Sequence, residues 1–306
     1  MPLQILDSLV VAFRIRKYIR AAKPSVVISN SMKAHVLVFL SLAWLRNNYI
    51  LHLRDRVTVD FMNRIGISMI KLVARVAADG IIANSNATLE TVPHAHVRTA
   101  VIASPAAVPG IISRELPQSE KFTFAVVGRI TPWKGQELAL ASFRDVQAKY
   151  PGAKLRFIGD ALFGEEGYRD QLKIKVSEMS LEHSVFFDGH VNDVYGSLAK
   201  VNCLVHSSII PEPFGQVIVQ GMAMGLPVIA AREGGPMETI QHRENGILYE
   251  PRNAAALSAA MFEIIENKVL ASEIGRNALA ESAKYAPAIL AVKYEEFISV
   301  ICDSQT

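Results

Sequence analysis

VNCLVHSSIIPEPFGQVIVQGMAMGLPVIAAREGGPMETI, residues 201–240, alternates two short apolar runs with two longer helical patterns. Val201 to Val205 is a predicted strand, and Gln216 to Met224 a predicted helix. Pro227 to Ala230 is a second strand, and Pro236 to Ile240 opens a second helix. Uncharged runs of this length, bounded by turn residues, suit strands buried on both faces. Strand, helix, strand, helix in that order requires parallel neighbours and right-handed crossovers. In such sheets ligands bind beyond the carboxyl ends of the strands. The loops at 206–215 and 231–235 therefore carry the functional reading.

The same alternation extends outward in both directions. Strands are predicted at Phe122 to Val127, Lys154 to Ile158, Val185 to Phe187 and Gly246 to Tyr249. Helices are predicted at Gly135 to Tyr150, Gly167 to Met179, Val194 to Leu198 and most of Ala254 to Ser282. Residues 118–280 thus hold about six strand–helix units, enough for a full doubly wound domain. Upstream, Leu3 to Ala22 reads as a helix with an apolar stripe of Leu6, Leu9, Val10 and Phe13. Arg14, Arg16, Lys17 and Arg20 crowd its last turns. Strands follow at Val26 to Ile28, Tyr49 to Leu53, Ile81 to Ala83 and Val101-Ile102, with helices at Lys33 to Leu45 and Asp60 to Ala78. The composition shifts between Val108 and Pro117, which marks a domain boundary. The expected division is 1–115, 116–282 and a C-terminal helix, 283–306, that packs back on the first domain.

At 306 residues with half of them hydrophobic, the chain is globular and long enough for two domains. Its 32 Lys and Arg against 29 Asp and Glu give a net charge of +3, which leaves no nucleic-acid footprint. The split is uneven. Residues 1–80 carry twelve basic and four acidic side chains, net +8, and the rest is net −5. An anionic partner for the first part, such as a membrane surface, fits that asymmetry, as does a solvated basic helix face. Two distant cysteines, Cys203 and Cys302, exclude a disulfide framework and favour a reducing compartment. No signal peptide is evident, and the apolar run from Ala34 to Leu45 is short of the ~20 residues a bilayer span needs.

Three loops have chemistry. In the first, a strand ends at Gly128, Arg129 and Lys134 follow five residues apart, and a helix starts at Gly135. Two cations beside a helix N-terminus suit a diphosphate. In the second, Glu212 sits between Pro211 and Pro213, and Phe214, Gly215 and Gln216 lead into a helix with free backbone N–H groups. In the third, Gly234 and Gly235 precede Pro236, which allows close backbone approach. Each loop alone also reads as surface charge, a helix cap or a tight turn. Their conjunction in one domain is what favours an anionic ligand. No metal site is expected: His94 and His96 stand in a loop without partner acids.

These loops, together with Ile158-Gly159-Asp160, Phe187-Asp188-Gly189-His190-Val191 and Ala223-Met224-Gly225-Leu226-Pro227, resemble the donor domain of the retaining GT-B glycosyltransferases of family 4, glycosyl transferases group 1. The resemblance implies an α/β GT-B fold of two Rossmann-like doubly wound domains with parallel sheets. It implies transfer of a sugar from a nucleotide diphosphate sugar to an acceptor hydroxyl with retention, in polysaccharide, lipopolysaccharide or glycolipid synthesis. Arg129 and Lys134 would bind the donor diphosphate, and Glu212 would lie at the donor sugar. Phe214 and Gly215 would offer backbone N–H groups, and Gly189, His190 and Val191 would lie by the base. Gln216, Gly234, Gly235, Glu238 and Gly128 complete the donor set. The second acid of the family's signature pair, which holds the ribose, is Gln220 here. No metal or other cofactor is implied.

Upstream, Lys23-Pro24-Ser25-Val26-Val27-Ile28, Tyr49 to Asp55 and Ala78-Asp79-Gly80-Ile81-Ile82-Ala83-Asn84-Ser85 resemble first-domain segments of the family. Arg54 stands where the family often has an active-site histidine, with His52 two residues earlier. The family's opening strand, glycine-rich loop and further units have no counterpart ahead of the basic helix, and no glycine precedes Gly66. At ~25–30 residues per unit, roughly 60–80 residues are wanting. The N-terminal domain is therefore expected to be incomplete, with an exposed sheet edge that seeks a partner chain or a second copy. The implied setting is cytoplasmic, on the inner face of a membrane, with a saccharide or lipid-linked acceptor. The competing reading is a non-catalytic donor-binding subunit. A nucleotide-sugar epimerase is opposed by the Pro211–Gly215 loop, and a dinucleotide oxidoreductase by the lack of G-x-G-x-x-G.

Overall fold

The structure, a computed structural model, describes residues 2–42, 45, 47–106 and 122–303, with side chains from residue 7. The boundary expected at 115/116 lies outside the described residues. The chain divides into two units, one of Met1–Ser104 with Ala288–Thr306 and one of Pro105–Pro287.

The first unit opens with α1 (Pro2–Ala22), followed by β1 (Val26–Ser29), α2 (Met32–Leu42), β2 (Asn48–Leu53), α3 (Arg64–Val76), β3 (Gly80–Ala83), α4 (Asn86–Leu89) and β4 (Arg98–Val101). The four strands pair in the order β1-β2-β3-β4, all parallel. Successive side chains of β2 alternate faces. Tyr49, Leu51 and Leu53 pack under α2 and α3. Ile50, with Ile82 and Ile102, meets Leu290 and Ile301 of the last helix, α12 (Pro287–Asp303). Helix α3 starts four residues later than its apolar pattern, because the Asn63 side chain accepts from Gly66 N at 2.8 Å and caps it there.

One pattern lies differently from its obvious use. On α1, Ala12 and Ile19 are buried, while Leu9, Val10 and Phe13 are 52, 45 and 68% exposed. Leu9, Val10 and Phe13 of the stripe that looks like a core face thus point outward, and the outer edge of β1 has no strand partner among the described residues. No described helix is long and apolar enough to cross a membrane.

The second unit holds β5 (Thr123–Val127), α5 (Gln136–Lys149), β6 (Lys154–Ile158), α6 (Glu166–Glu178), β7 (Val185–Gly189), α7 (Val194–Leu198), β8 (Cys203–His206), α8 (Gln216–Ala223), β9 (Val228–Ala231), α9 (Pro236–Thr239), β10 (Ile247–Tyr249), α10 (Ala254–Glu266) and α11 (Lys268–Ser282). The helical stretch from 254 to 282 is two helices, because the Asn267 side chain accepts from Leu270 N and caps the second. The strand order is β10-β9-β8-β5-β6-β7. Read from the other edge this is the 3-2-1-4-5-6 order of a Rossmann sheet, and the chain reverses direction between β5 and β8.

Both faces of this sheet are packed. Phe124, Val126, Leu155, Phe157 and Ile229 join Leu140, Phe143, Met261 and Ile264 on one side. Ala125, Val127, Leu204, Val228 and Ala230 join Ile218 and Met222 on the other. Phe143 is fully buried and meets the Phe124 ring edge-on, centroids 6.4 Å apart. Phe143→Ala is therefore expected to lower the unfolding free energy by about 3–5 kcal/mol, read by urea titration of tryptophan fluorescence.

Candidate functional site

The loops after β5 and β8 flank the point where strand order reverses, which is where a doubly wound sheet opens a crevice. After β5 the chain turns through a 3-10 segment, Pro132–Lys134, and ends it at Gly135 with φ 66°. A Cβ at Gly135 would stand 2.0 Å from the Ser207 carbonyl oxygen, so only glycine lets the two loops lie this close. Gln136 is buried and donates from Nε2 to the Arg129 carbonyl at 2.7 Å, and Ser207 Oγ donates to the Lys134 carbonyl at 2.9 Å. These bonds fix where Lys134 leaves the backbone.

Lys134 and Glu212, 78 residues apart in sequence, meet directly. Lys134 Nζ donates to Glu212 Oε1 at 3.0 Å and Oε2 at 2.9 Å. The side chains are 14% and 11% exposed. Nζ also lies 4.2 Å from the centre of the Trp133 ring. Ser208 Oγ donates to Glu212 Oε2 at 2.9 Å, and His206 Nε2 lies 3.1 Å from the same oxygen. Burial pushes the Glu212 carboxyl up, and the Lys134 charge with the His206 hydrogen bond more than offsets it, holding the carboxyl well below its usual range. The result is a buried carboxylate, fixed and ionised, beside a cation.

The glycine pair supports this acid. Gly235 N donates to the Glu212 carbonyl at 2.9 Å. A Cβ on Gly234 would stand 2.5 Å from the Glu212 carbonyl oxygen, and one on Gly235 2.5 Å from Phe214 Cα. The close backbone approach expected at these glycines is made to the 212–214 segment. Gly128 lies beside the Lys134 stem, where a Cβ would be 3.7 Å from Cε.

The other expected residues are placed as follows. Arg129 is exposed, with its guanidinium 5.5 Å from the Phe163 ring centre. Phe214 is buried against Tyr285, centroids 5.8 Å apart, and Gly215 begins α8. Gln216 donates from its side chain to the Pro105 carbonyl. Gln220, one turn further along α8, is half-buried. Gly189 ends β7 and accepts from Gly159 N at 2.9 Å; His190 is exposed, and Val191 packs on the core. Glu238 is exposed on α9. In the first unit, His52 Nε2 lies 3.0 Å from Tyr294 Oη, and burial with the nearby Arg54 charge pushes its pKa down to about 4. His206 and Ser208 stand in the second loop, Ser208 among the residues of the resemblance, but motif reading gives them no role, and Gln136 is not singled out at all. The signal for His206 and Ser208 is their place at and just after the end of β8, six and four residues before Glu212. Among the described residues no group of three or more His, Cys, Asp or Glu could hold a metal ion.

Residues 110–281, more than half of the chain, match the family of glycosyl transferases group 1. The chain belongs to that family. An uncharacterized glycosyltransferase of Methanocaldococcus jannaschii, MJ1607, is 30% identical over 151 residues, which are 49% of this chain and 37% of that protein. Sucrose-phosphate synthase 4 of Arabidopsis thaliana is 32% identical over 96 residues, 31% of this chain and 9% of the plant protein. The chain thus spans well under half the length of these curated relatives. The crystal structure of Anabaena HepE in complex with UDP-glucose superposes with a TM-score of 0.85 at 26% identity, covering 94% of this chain and 82% of HepE. Sucrose-phosphate synthase from Thermosynechococcus elongatus shares the fold, with a TM-score of 0.84 at 19% identity. The two Rossmann-like α/β units of this group 1 family member are thus those of GT-B structures.

Proposed function

We propose that this chain transfers a sugar from a nucleotide diphosphate donor to an acceptor hydroxyl with retention of configuration, as a family 4 enzyme. The observation that carries the reading is the Lys134–Glu212 pair at the switch point of a six-stranded Rossmann sheet. An oxocarbenium-like transition state leaves negative charge growing on the departing diphosphate. Lys134, Arg129 and the N-terminus of α8 stabilise that charge. Glu212 accepts from sugar hydroxyls and fixes the sugar over the leaving group. Gln220 can both donate and accept at the ribose. HepE at 26% identity was crystallised with UDP-glucose, which supports a UDP-hexose as donor. The acceptor is a saccharide or lipid-linked saccharide of envelope polysaccharide synthesis, and the chain works in the cytoplasm at the membrane face. Support for that setting is the exposed Leu9, Val10 and Phe13 beside the basic Arg14, Lys17 and Arg20.

Isothermal titration with UDP tests the donor site. Arg129→Ala and Lys134→Ala are each expected to weaken binding about tenfold or more, a loss of ~1.4 kcal/mol. Unchanged affinity in both variants overturns the diphosphate assignment. The second reading, a donor-binding subunit completed by another chain, is favoured by the outer edge of β1, which has no strand partner among the described residues. It requires UDP binding without hydrolysis of UDP-glucose, and turnover by this chain rejects it.

A further inference from the structure

The two oxygens of Glu212 have different partners. Oε1 accepts from Lys134 Nζ at 3.0 Å. Oε2 accepts from Lys134 Nζ and from Ser208 Oγ, each at 2.9 Å, and lies 3.1 Å from His206 Nε2. An ionised carboxylate only accepts, so Nε2 must carry a proton. Ser208 Oγ has one proton, which is given to Oε2, so at 3.3 Å from Nε2 it can only accept from the ring. The imidazole N–H is thus shared between the serine oxygen and the acid.

Neither residue has room to turn. His206 is 4% exposed and Ser208 1%. His206 is the last residue of β8, which is paired on both sides, to β5 and to β9. Its Nδ1 is buried and has no partner among the described residues, so the ring's polar contacts all lie on the Nε2 side, toward Ser208 and Glu212. The terminal torsion of a glutamate is broad and two-fold, so a carboxylate held only by a lysine would sample many orientations. Two short donors on one oxygen remove that freedom.

We infer that His206 and Ser208 are positioning residues that anchor Oε2 of Glu212, so that Oε1 becomes the oxygen presented to a donor-sugar hydroxyl once Lys134 is drawn onto the diphosphate. The inference rests on the donor-site reading above. Neither residue touches substrate; both act through the acid. Lys134 exchanges one anionic partner for another, and the acid keeps its orientation while that happens.

The test uses the full chain labelled with carbon-13 at glutamate Cδ, with the Glu212 resonance assigned by its loss in Glu212→Gln. The carboxyl is titrated from about pH 8 down to the acid limit of folding in Lys134→Met, which lifts the midpoint out of the strongly acid range, alone and combined with His206→Ala, His206→Gln or Ser208→Ala. Lys134 and His206 are the groups whose fields act on Glu212. Burial persists when His206 is truncated, so the midpoint is expected to rise by about one unit or more, a tenfold change in proton affinity. Glutamine can donate from its amide, and His206→Gln is expected to restore most of the shift. Ser208→Ala is expected to move the midpoint the same way by less.

Isothermal titration in parallel separates orientation from folding. UDP affinity is expected to stay within about twofold in His206→Ala, while UDP-glucose loses about tenfold. A purely packing role would weaken both ligands alike and give glutamine no advantage over alanine. An unmoved midpoint in His206→Ala, or equal behaviour of the Gln and Ala variants, overturns the inference. A wild type that binds no UDP rejects the donor site instead, and the carboxyl titration still decides the anchoring.

Discussion

Lys134→Met is expected to lower the unfolding free energy at pH 7 by about 3–5 kcal/mol, the usual loss when one member of a buried ion pair is removed. Methionine keeps the length and apolar stem of the lysine, so packing is nearly conserved and charge is what changes. Glu212 stays buried after the substitution, and burial is the largest influence on its carboxyl. With the ammonium gone, only the His206 and Ser208 side of the carboxylate still offsets that influence, and the folded-state pKa moves up. In the wild type the depressed pKa contributes stability above the unfolded carboxylate value, and this is lost only as pH falls toward the folded value. In the variant the sign reverses once the folded pKa exceeds the unfolded one: stability is lost as pH rises. The difference between the two proteins is therefore largest at pH 7 and shrinks toward pH 4. Urea titrations at the two pH values measure it. Adding Glu212→Gln to Lys134→Met removes the buried charge and should recover most of the loss. A deficit independent of pH, or one that the second substitution leaves intact, rejects the charge-pair account.

The pairing that governs this prediction is absent from any local pattern. Each of the three loops shows in the sequence as a strand end, a punctuation of Gly or Pro and a helix start, because those steps depend on neighbours in the chain. Parallel order and two-sided burial follow from uncharged runs such as Cys203-Leu204-Val205 and Val228-Ile229-Ala230, all buried. What joins Lys134 to Glu212 is the adjacency of β5 and β8, a consequence of the sheet reversing direction, and no local spacing encodes it. His206 reads as a lone histidine at a strand end until the carboxylate it faces is known. The glycine pair illustrates the opposite case. Two glycines before a proline announce close approach, yet only the fold says that the approaching backbone is the protein's own. On α1 the hydrophobic pattern is real, but periodicity cannot say which of two apolar faces finds a partner; the smaller Ala12 and Ile19 face does.

Gly235→Ala is expected to weaken UDP-glucose binding about tenfold or more, although residue 235 offers a ligand no side chain. Its φ of −55° is ordinary, so alanine carries no conformational penalty and the effect is purely steric. The added methyl would stand 2.5 Å from Phe214 Cα, 2.6 Å from the Pro213 oxygen and 2.7 Å from the Phe214 oxygen. These are backbone atoms between two prolines and a helix start, so they yield only by moving the segment that carries Glu212. Overpacking of this kind costs about 1–3 kcal/mol in stability. The larger consequence is at the site. Displacing residues 212–214 by a few tenths of an ångström lengthens the hydrogen bond from Gly235 N to the Glu212 carbonyl and moves the acid off Lys134, Ser208 and His206 together. Ser142→Ala on α5 is the control, since it removes only hydrogen bonds to the Leu138 and Ala254 carbonyls, away from the loop. It is expected to cost about 1 kcal/mol in stability with UDP-glucose affinity unchanged. Isothermal titration of both variants with UDP-glucose reads the difference, and equal UDP-glucose affinity in Gly235→Ala and the wild type would show that the glycine turn does not position the acid.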